Sequence, residues 1–223
     1  MYNLLKFEKS LYDKGIKYIA GVDEVGRGAL AGPFVVGAVI LDLEKILETS
    51  AARNNDVEHQ KLENIKDSKQ LTQKNREIAS EFIYKICISS SIEVINSKVV
   101  DKIGISKCTQ MGFFNAIKRL KVKPQHILTD AFAIKGLPTE IQTNIKSGDK
   151  LSISIAIASI IAKVFRDNLM RELHKGYGVY GFDRHKGYGT KLHIEKIQEF
   201  GPCEIHRMSF SPLKQKPGAI HKM

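Results

Sequence analysis

Two adjacent carboxylates, Asp23 and Glu24, end the apolar run Tyr18-Ile19-Ala20-Gly21-Val22 and stand just before Val25-Gly26-Arg27-Gly28. Side chains alternate along a strand, so the two acids diverge if both stay extended. A glycine turn at the strand's end could relax that rule and bring both to one metal-sized site. The glycines Gly26 and Gly28 remove the Cβ that would keep a ligand away from the backbone. Arg27 between them offers a planar fork suited to phosphate. Acid, base and bare backbone together fit a metal and a phosphodiester meeting at one corner. A surface turn carrying ordinary charges is the plainer alternative, and the rest of the chain has to decide.

Other stretches bear on that choice. Asp130 closes His126-Ile127-Leu128-Thr129-Asp130, and an acid at a strand's carboxyl end is well placed for chemistry in an open α/β sheet. Asp149, in Ser147-Gly148-Asp149-Lys150, directly precedes a long helical pattern. Ser68 and Lys69, in Asp67-Ser68-Lys69-Gln70-Leu71-Thr72, read equally as phosphate ligands or as the solvated lead-in to a helix. The loop His185-Lys186-Gly187-Tyr188-Gly189-Thr190 is basic and glycine-rich, with an aromatic suited to stacking on a sugar or base. Asp167, beside Arg166 inside a helical pattern, reads as a local ion pair.

The elements that must position these groups follow from periodicity. Residues 1–16 have the spacing of a short covering helix closed by Gly15. Residues 17–25 read as a strand, and the β-branched run 34–41 as a second, buried one. Residues 43–66 read as a polar loop. Thr72 is a suitable N-cap for a helix over 73–85, with Ile78, Phe82 and Ile83 on its apolar face. A third strand is expected from Ile86 to Ile95. A helix over 105–120 carries Met111, Phe114, Ile117 and Leu120, a stripe better read as core than as a cofactor site. After the strand at Asp130, a helix over 152–173 carries Ser154, Ala156, Ala158, Ser159 and Ala162, small enough to let it press close to a sheet. A short helix covers 192–200.

At 223 residues the chain can bury a sizeable core, and a single domain over 1–213 is expected, helical from about 192, with a frayed tail over 214–223. The balance of 35 Lys+Arg against 24 Asp+Glu gives a net charge of +11, which points to a polyanionic partner. Cys87, Cys108 and Cys203 match no metal-binding spacing and read as free thiols in a reducing compartment. There is no secretory leader and no 18-residue apolar run, so a cytoplasmic protein away from membranes is expected. Gly26-x-Gly28-x-x-x-Gly32 comes close to a dinucleotide-binding fingerprint. However, that motif needs a helix directly after the glycines, and here a strand follows, the spacing is too long, and two acids occupy the anion's place.

In one order, the chain carries GVDEVGRG, DSKQLT, the LTDA strand end, SGDK, ASIIAKVFRD, HKGYGT and IHRMSF. With these motifs it resembles the ribonuclease HII family, from about Lys17 to Pro212. The resemblance implies an α/β fold of the ribonuclease H-like type, a mixed central β-sheet flanked by helices. It places the family's metal-binding and catalytic carboxylates at Asp23, Glu24, Asp130 and Asp149. It assigns reading of the ribose 2′-hydroxyl to Gly26, Arg27 and Gly28, and stacking on the neighbouring deoxyribose to Tyr188. The chain departs from the family pattern with Ala29 for proline, Ala131 for glycine and Ser147 for lysine. The expected activity is endonucleolytic cleavage of RNA in RNA–DNA hybrids and 5′ of ribonucleotides embedded in duplex DNA, by a monomer with a two-metal site for Mn2+ or Mg2+. It would leave 5′-phosphate and 3′-hydroxyl ends. A non-catalytic nucleic-acid-binding protein on the same fold is the alternative, but such a protein gains nothing from four acids facing phosphate. A junction resolvase of this fold is a third reading, against which the glycine-arginine-glycine turn and Tyr188 argue.

Overall fold

A computed structural model of the chain describes residues 4–51, 78 and 82–214. Their contacts gather into two compact units. The first is drawn from Met1–Val25, Val35–Glu93 and Gln110–Val164, the second from Gly26–Phe34, Val94–Thr109 and Phe165–Met223.

The first unit is built on β1 (Ile19–Val25), β2 (Phe34–Leu41), β3 (Cys87–Ile95), β4 (His126–Asp130) and β5 (Gln142–Ile145), in the spatial order β3-β2-β1-β4-β5. β1 runs antiparallel to β2 and parallel to β4, and β4 runs parallel to β5, so the sheet is mixed. All of β2 is buried, as its unbroken apolar run requires. The long helix (Ile153–Gly176) lays its first half on the sheet, where small residues on both sides allow close approach. A Cβ built on Gly21 would lie 2.1 Å from the Ser154 carbonyl carbon, and one on Gly37 would lie 2.5 Å from the Ala158 oxygen. Leu5, Ile19, Val39, Leu41, Leu128, Ile153 and Ile157 belong to the core this produces.

α1 (Lys6–Tyr12) covers this unit and buries an acid, Glu8. The Glu8 carboxyl accepts from the Ser152 hydroxyl and from the Ser154 amide at 3.0 Å, while the Ile153 amide donates to the Leu4 carbonyl at 2.9 Å. Burial pushes the Glu8 carboxyl above the usual glutamate range.

Three sequence expectations need correction. Residues 43–51, expected in a loop, form α2 (Leu43–Ala51): Asp42 accepts from the Lys45 amide at 3.1 Å as a cap, and Leu43 and Ile46 are buried. Composition hid this helix because Glu44, Lys45 and Glu48, its exposed residues among those described, are all charged. Ile78, placed on an apolar helix face, is 51% exposed, whereas Phe82 and Ile83 are buried as expected. In α4 (Ile105–Lys118) Phe114 is 46% exposed, and the buried stripe is Thr109, Phe113, Ala116 and, just beyond, Leu120. That spacing of four, three and four is as helical as the expected one, and only packing distinguishes the two faces. The preceding α3 (Ser97–Ile103) was not foreseen. It is capped by Asn96, whose side chain accepts from the Val99 amide at 2.9 Å.

The second unit has its own small core of Ala31, Met170, Tyr180 and Phe182. The long helix ends in it as α5, followed by α6 (Phe182–His185) and α7 (Lys191–Phe200), the last capped by Thr190. Among the described residues no helix is long and apolar enough to cross a membrane.

Candidate active site

In the first unit, three parallel strands, β1, β4 and β5, point their carboxyl ends the same way, and the acids lie at those ends. β1 and β4 pair in register through Val22 and Thr129, so Asp23 and Asp130 each stand one step beyond the last pair. Asp130 Oδ1 accepts from the Gly148 amide at 2.7 Å, which fixes the turn carrying Asp149 next to β4. Asp149 is buried in the short 3-10 helix Gly148–Lys150 that follows β5. Both Asp23 and Glu24 lie within β1, so the turn does not bend them together as the sequence left open. Asp23, Gly21 and the paired Gly37 share the face under α5, where Asp23 hydrogen-bonds the Ser159 side chain.

This placement makes Asp23 hard to ionise. Burial pushes its carboxyl up to about 8, Glu24 and Asp130 add to the rise, and Ser159 only partly offsets it. As donors, Asp23, Glu24, Asp130 and Asp149 fit a hard divalent cation: all offer oxygen, none sulfur or imidazole. The repulsion felt at Asp23 is also what a cation would relieve. Among the described residues, no three Asp, Glu, His or Cys side chains are arranged to hold an ion as they stand.

The glycine-arginine-glycine turn belongs to the second unit. Gly26 has φ 83°, and a Cβ there would lie 2.2 Å from Arg166 Nε. Glycine is therefore required at this position by the fold itself. Gly28 is different: it is exposed, its φ is not left-handed, and a Cβ would meet no described residue within 4 Å. Arg27 is half-buried, and its guanidinium donates to the Thr109 hydroxyl.

Tyr188 lies in the same unit, half-buried. Its backbone is held by a relay of neutral imidazoles. His193 Nδ1–H donates to the Tyr188 carbonyl at 2.9 Å, His206 Nε2–H donates to His193 Nε2 at 3.1 Å, and His206 Nδ1 accepts from the Cys203 amide at 2.9 Å. These tautomers are set by the partners, since a carbonyl can only accept. Burial lowers both histidines, His193 to about 4, which keeps the relay uncharged at neutral pH.

Sequence reasoning missed two arginines. Arg166 and Arg207 are fully buried, and both hold backbone carbonyls of the segment after β1. Arg207 donates to Gly26 O at 2.7 Å, Arg27 O at 3.2 Å and twice to Gly32 O at 3.0 and 3.1 Å. Arg166 donates to Pro33 O at 2.8 Å and Ala31 O at 3.2 Å. Burial, and then the charge of Arg166, lowers Arg207 to about 10. The sequence signal was a basic residue in each of two motifs, ASIIAKVFRD and IHRMSF; Arg166 entered the sequence reading only as the neighbour of Asp167 in a local ion pair, and Arg207 had no role in it. Ser68 and Lys69 lie outside the described residues.

The geometry can now be compared with known proteins. A family model described as ribonuclease HII matches residues 20–213. A ribonuclease HII of Acholeplasma laidlawii (strain PG-8A) is 47% identical over 209 residues, covering 94% of this chain and 95% of the relative. That of Caldicellulosiruptor bescii is 44% identical over 208 residues, covering 93% of each. The crystal structure of the ribonuclease H2 from Pyrococcus horikoshii OT3 superposes with a TM-score of 0.69 at 26% identity, over 87% of this chain and 94% of that one. Its ribonuclease H-like fold is the mixed sheet with flanking helices described above. On sequence and fold together, the chain belongs to the ribonuclease HII family.

Proposed function

We propose that the chain hydrolyses RNA in RNA–DNA hybrids and cuts 5′ of single ribonucleotides in duplex DNA, with Asp23, Glu24, Asp130 and Asp149 as metal-binding and catalytic carboxylates and Gly26, Arg27, Gly28 and Tyr188 as substrate-binding residues. As a ribonuclease HII it is an endonuclease. The observation that carries the finer reading is the placement of Asp23, Glu24, Asp130 and Asp149 at the carboxyl ends of three neighbouring parallel strands.

Such a cluster is a poor general base by itself. Asp23 holds its proton near neutrality, and the neighbouring acids discourage a second charge. The residues that would hold Mn2+ or Mg2+ are these four, and the chemistry supplied by the bound ions is a more acidic attacking water and a stabilised leaving 3′-oxygen. Asp130 is oriented for this by the Gly148 amide, and Asp23 by Ser159. Proton loss from Asp23 would accompany cation uptake.

RNA differs from DNA by its 2′-hydroxyl, which both donates and accepts. Backbone groups around Gly26, Arg27 and Gly28 can read it, because none of the described residues fills the space a Cβ would take at Gly28. Tyr188 would press on the adjoining sugar, where an extra hydroxyl clashes, so deoxyribose is favoured there. Products would carry 5′-phosphate and 3′-hydroxyl ends, and the working form would be a monomer.

The test compares cleavage of a duplex with one ribonucleotide against an all-DNA control, with and without Mg2+. Cutting only the first, and only with metal, is expected; cutting of all-DNA duplex, or no cutting, sinks the reading. Gly28→Ala adds a second arm. It should leave Tm unchanged, since its methyl meets none of the described residues, and lower kcat/KM on the single-ribonucleotide duplex by about tenfold or more. Unchanged kcat/KM would remove Gly28 from substrate recognition.

A further inference from the structure

We infer that Arg166 is a positioning residue for sugar discrimination, locking the segment after β1 and the ring of Tyr188 into one fixed relation. This rests on the reading of Tyr188 and the glycine turn given above. The observations lie wholly within the second unit. Arg166 Nε and Nη2 hold the carbonyls of Pro33 and Ala31, and the guanidinium carbon stands 5.2 Å from the centroid of the Tyr188 ring. At Gly26 the fit is so close that any Cβ would strike the Arg166 side chain. One planar group thus touches the start of the turn, its far end and the tyrosine.

Stability alone does not account for an arginine here. It is fully buried, burial lowers its pKa, and Nη1 finds no hydrogen-bond partner among the described residues. A second buried arginine, Arg207, adds repulsion. Buried charges held this way are often replaceable by apolar side chains without loss of stability. What an apolar side chain cannot do is hold two carbonyls while presenting a cation to an aromatic face. A cation over the ring fixes the plane of Tyr188, and the carbonyl contacts fix where that plane lies relative to the turn. Lysine would keep the charge but lose the planar fork. Arg207 provides the contrast: it binds Gly26, Arg27 and Gly32 carbonyls and its guanidinium carbon lies over the ring of Phe210, while only its charge reaches Tyr188.

The experiment measures kcat/KM at saturating Mg2+ on two substrates, a DNA duplex with one ribonucleotide and a hybrid whose cut strand is all RNA. The quantity read is the ratio of the two. Arg166→Lys should lower that ratio by about tenfold at unchanged Tm, since a shift of the ring penalises the ribonucleotide–deoxyribonucleotide junction most. Tyr188→Ala should lower it similarly, and the double variant no further, because residues acting through one another are not additive. Arg207→Lys, which keeps the charge felt at Tyr188 and loosens only the hold on the turn, should lower both substrates together and spare the ratio. The inference is overturned if Arg166→Lys depresses both substrates equally, if its effect multiplies with that of Tyr188→Ala, or if neither Arg166→Lys nor Arg166→Met folds. A wild-type chain that cuts neither substrate overturns the functional reading instead.

Discussion

Asp23 shows how one buried side chain can set the pH dependence of a fold. Its folded carboxyl titrates at about 8 against 3.8 for an ordinary aspartate, so between those values the folded chain holds a proton that the unfolded chain releases. Its contribution to stability is therefore full below about pH 4 and lost as pH rises toward 8. Asp23→Asn, which is neutral throughout, should raise the Tm of the metal-free protein at pH 8 and change it little near pH 4. Added Mg2+ should narrow the gap. Parallel pH profiles for both proteins would show that Asp23 is not buried against its neighbours as described. Ala131 makes a second point. It and Ser147 departed from the family pattern, and both adopt left-handed backbone, with φ 59° and 56°. The loops keep their turn geometry at the expense of strain. Ala131→Gly should raise stability by about 1 kcal/mol, the left-handed penalty less glycine's extra chain entropy. Chemical denaturation checks this, and a loss of stability would refute it. The acids themselves were legible, because their positions at strand ends follow from short-range pattern. Arg166 and Arg207 were not, since nothing local separates an arginine that binds a distant carbonyl from one in water.

At the scale of elements, β1 and α5 were legible for the same physical reason. A β-branched run bounded by a glycine turn, and a helix studded with serine and alanine, each imply a partner at close range, and the glycines Gly21 and Gly37 supply the other side of that contact. The contact is testable. A methyl at position 37 would lie 2.5 Å from the Ala158 oxygen, a backbone atom that cannot swing aside. Gly37→Ala should cost about 1–3 kcal/mol, as overpacking does, and lower activity with it by shifting Asp23, its cross-strand neighbour. An unchanged Tm would mean α5 does not press on the sheet as described. The misplaced face of α4 shows the limit. Phe113 and Phe114 are adjacent, each heads a valid helical stripe, and the choice between them is made by the sheet. α2 was missed because a helix with a single buried seam looks, in composition, like a loop.

For the molecule as a whole, the charge of +11 is an argument about partners and not about fold. With about six phosphates neutralised, the affinity of an Asp130→Asn variant, expected to bind without cutting, for an RNA–DNA duplex should fall roughly a thousandfold between about 50 and about 200 mM salt. A flat response in a binding titration would show that basic residues do not form the contact surface. The burial of Glu8 has a consequence in time. Its partner Ser152 is 144 residues away, so on a ribosome adding about 5–20 residues per second the acid waits on the order of ten seconds for it. Throughout that wait the carboxylate is charged and α1, only 7 residues long, has little reason to be helical. α1 therefore settles only once a serine 144 residues further along has been made.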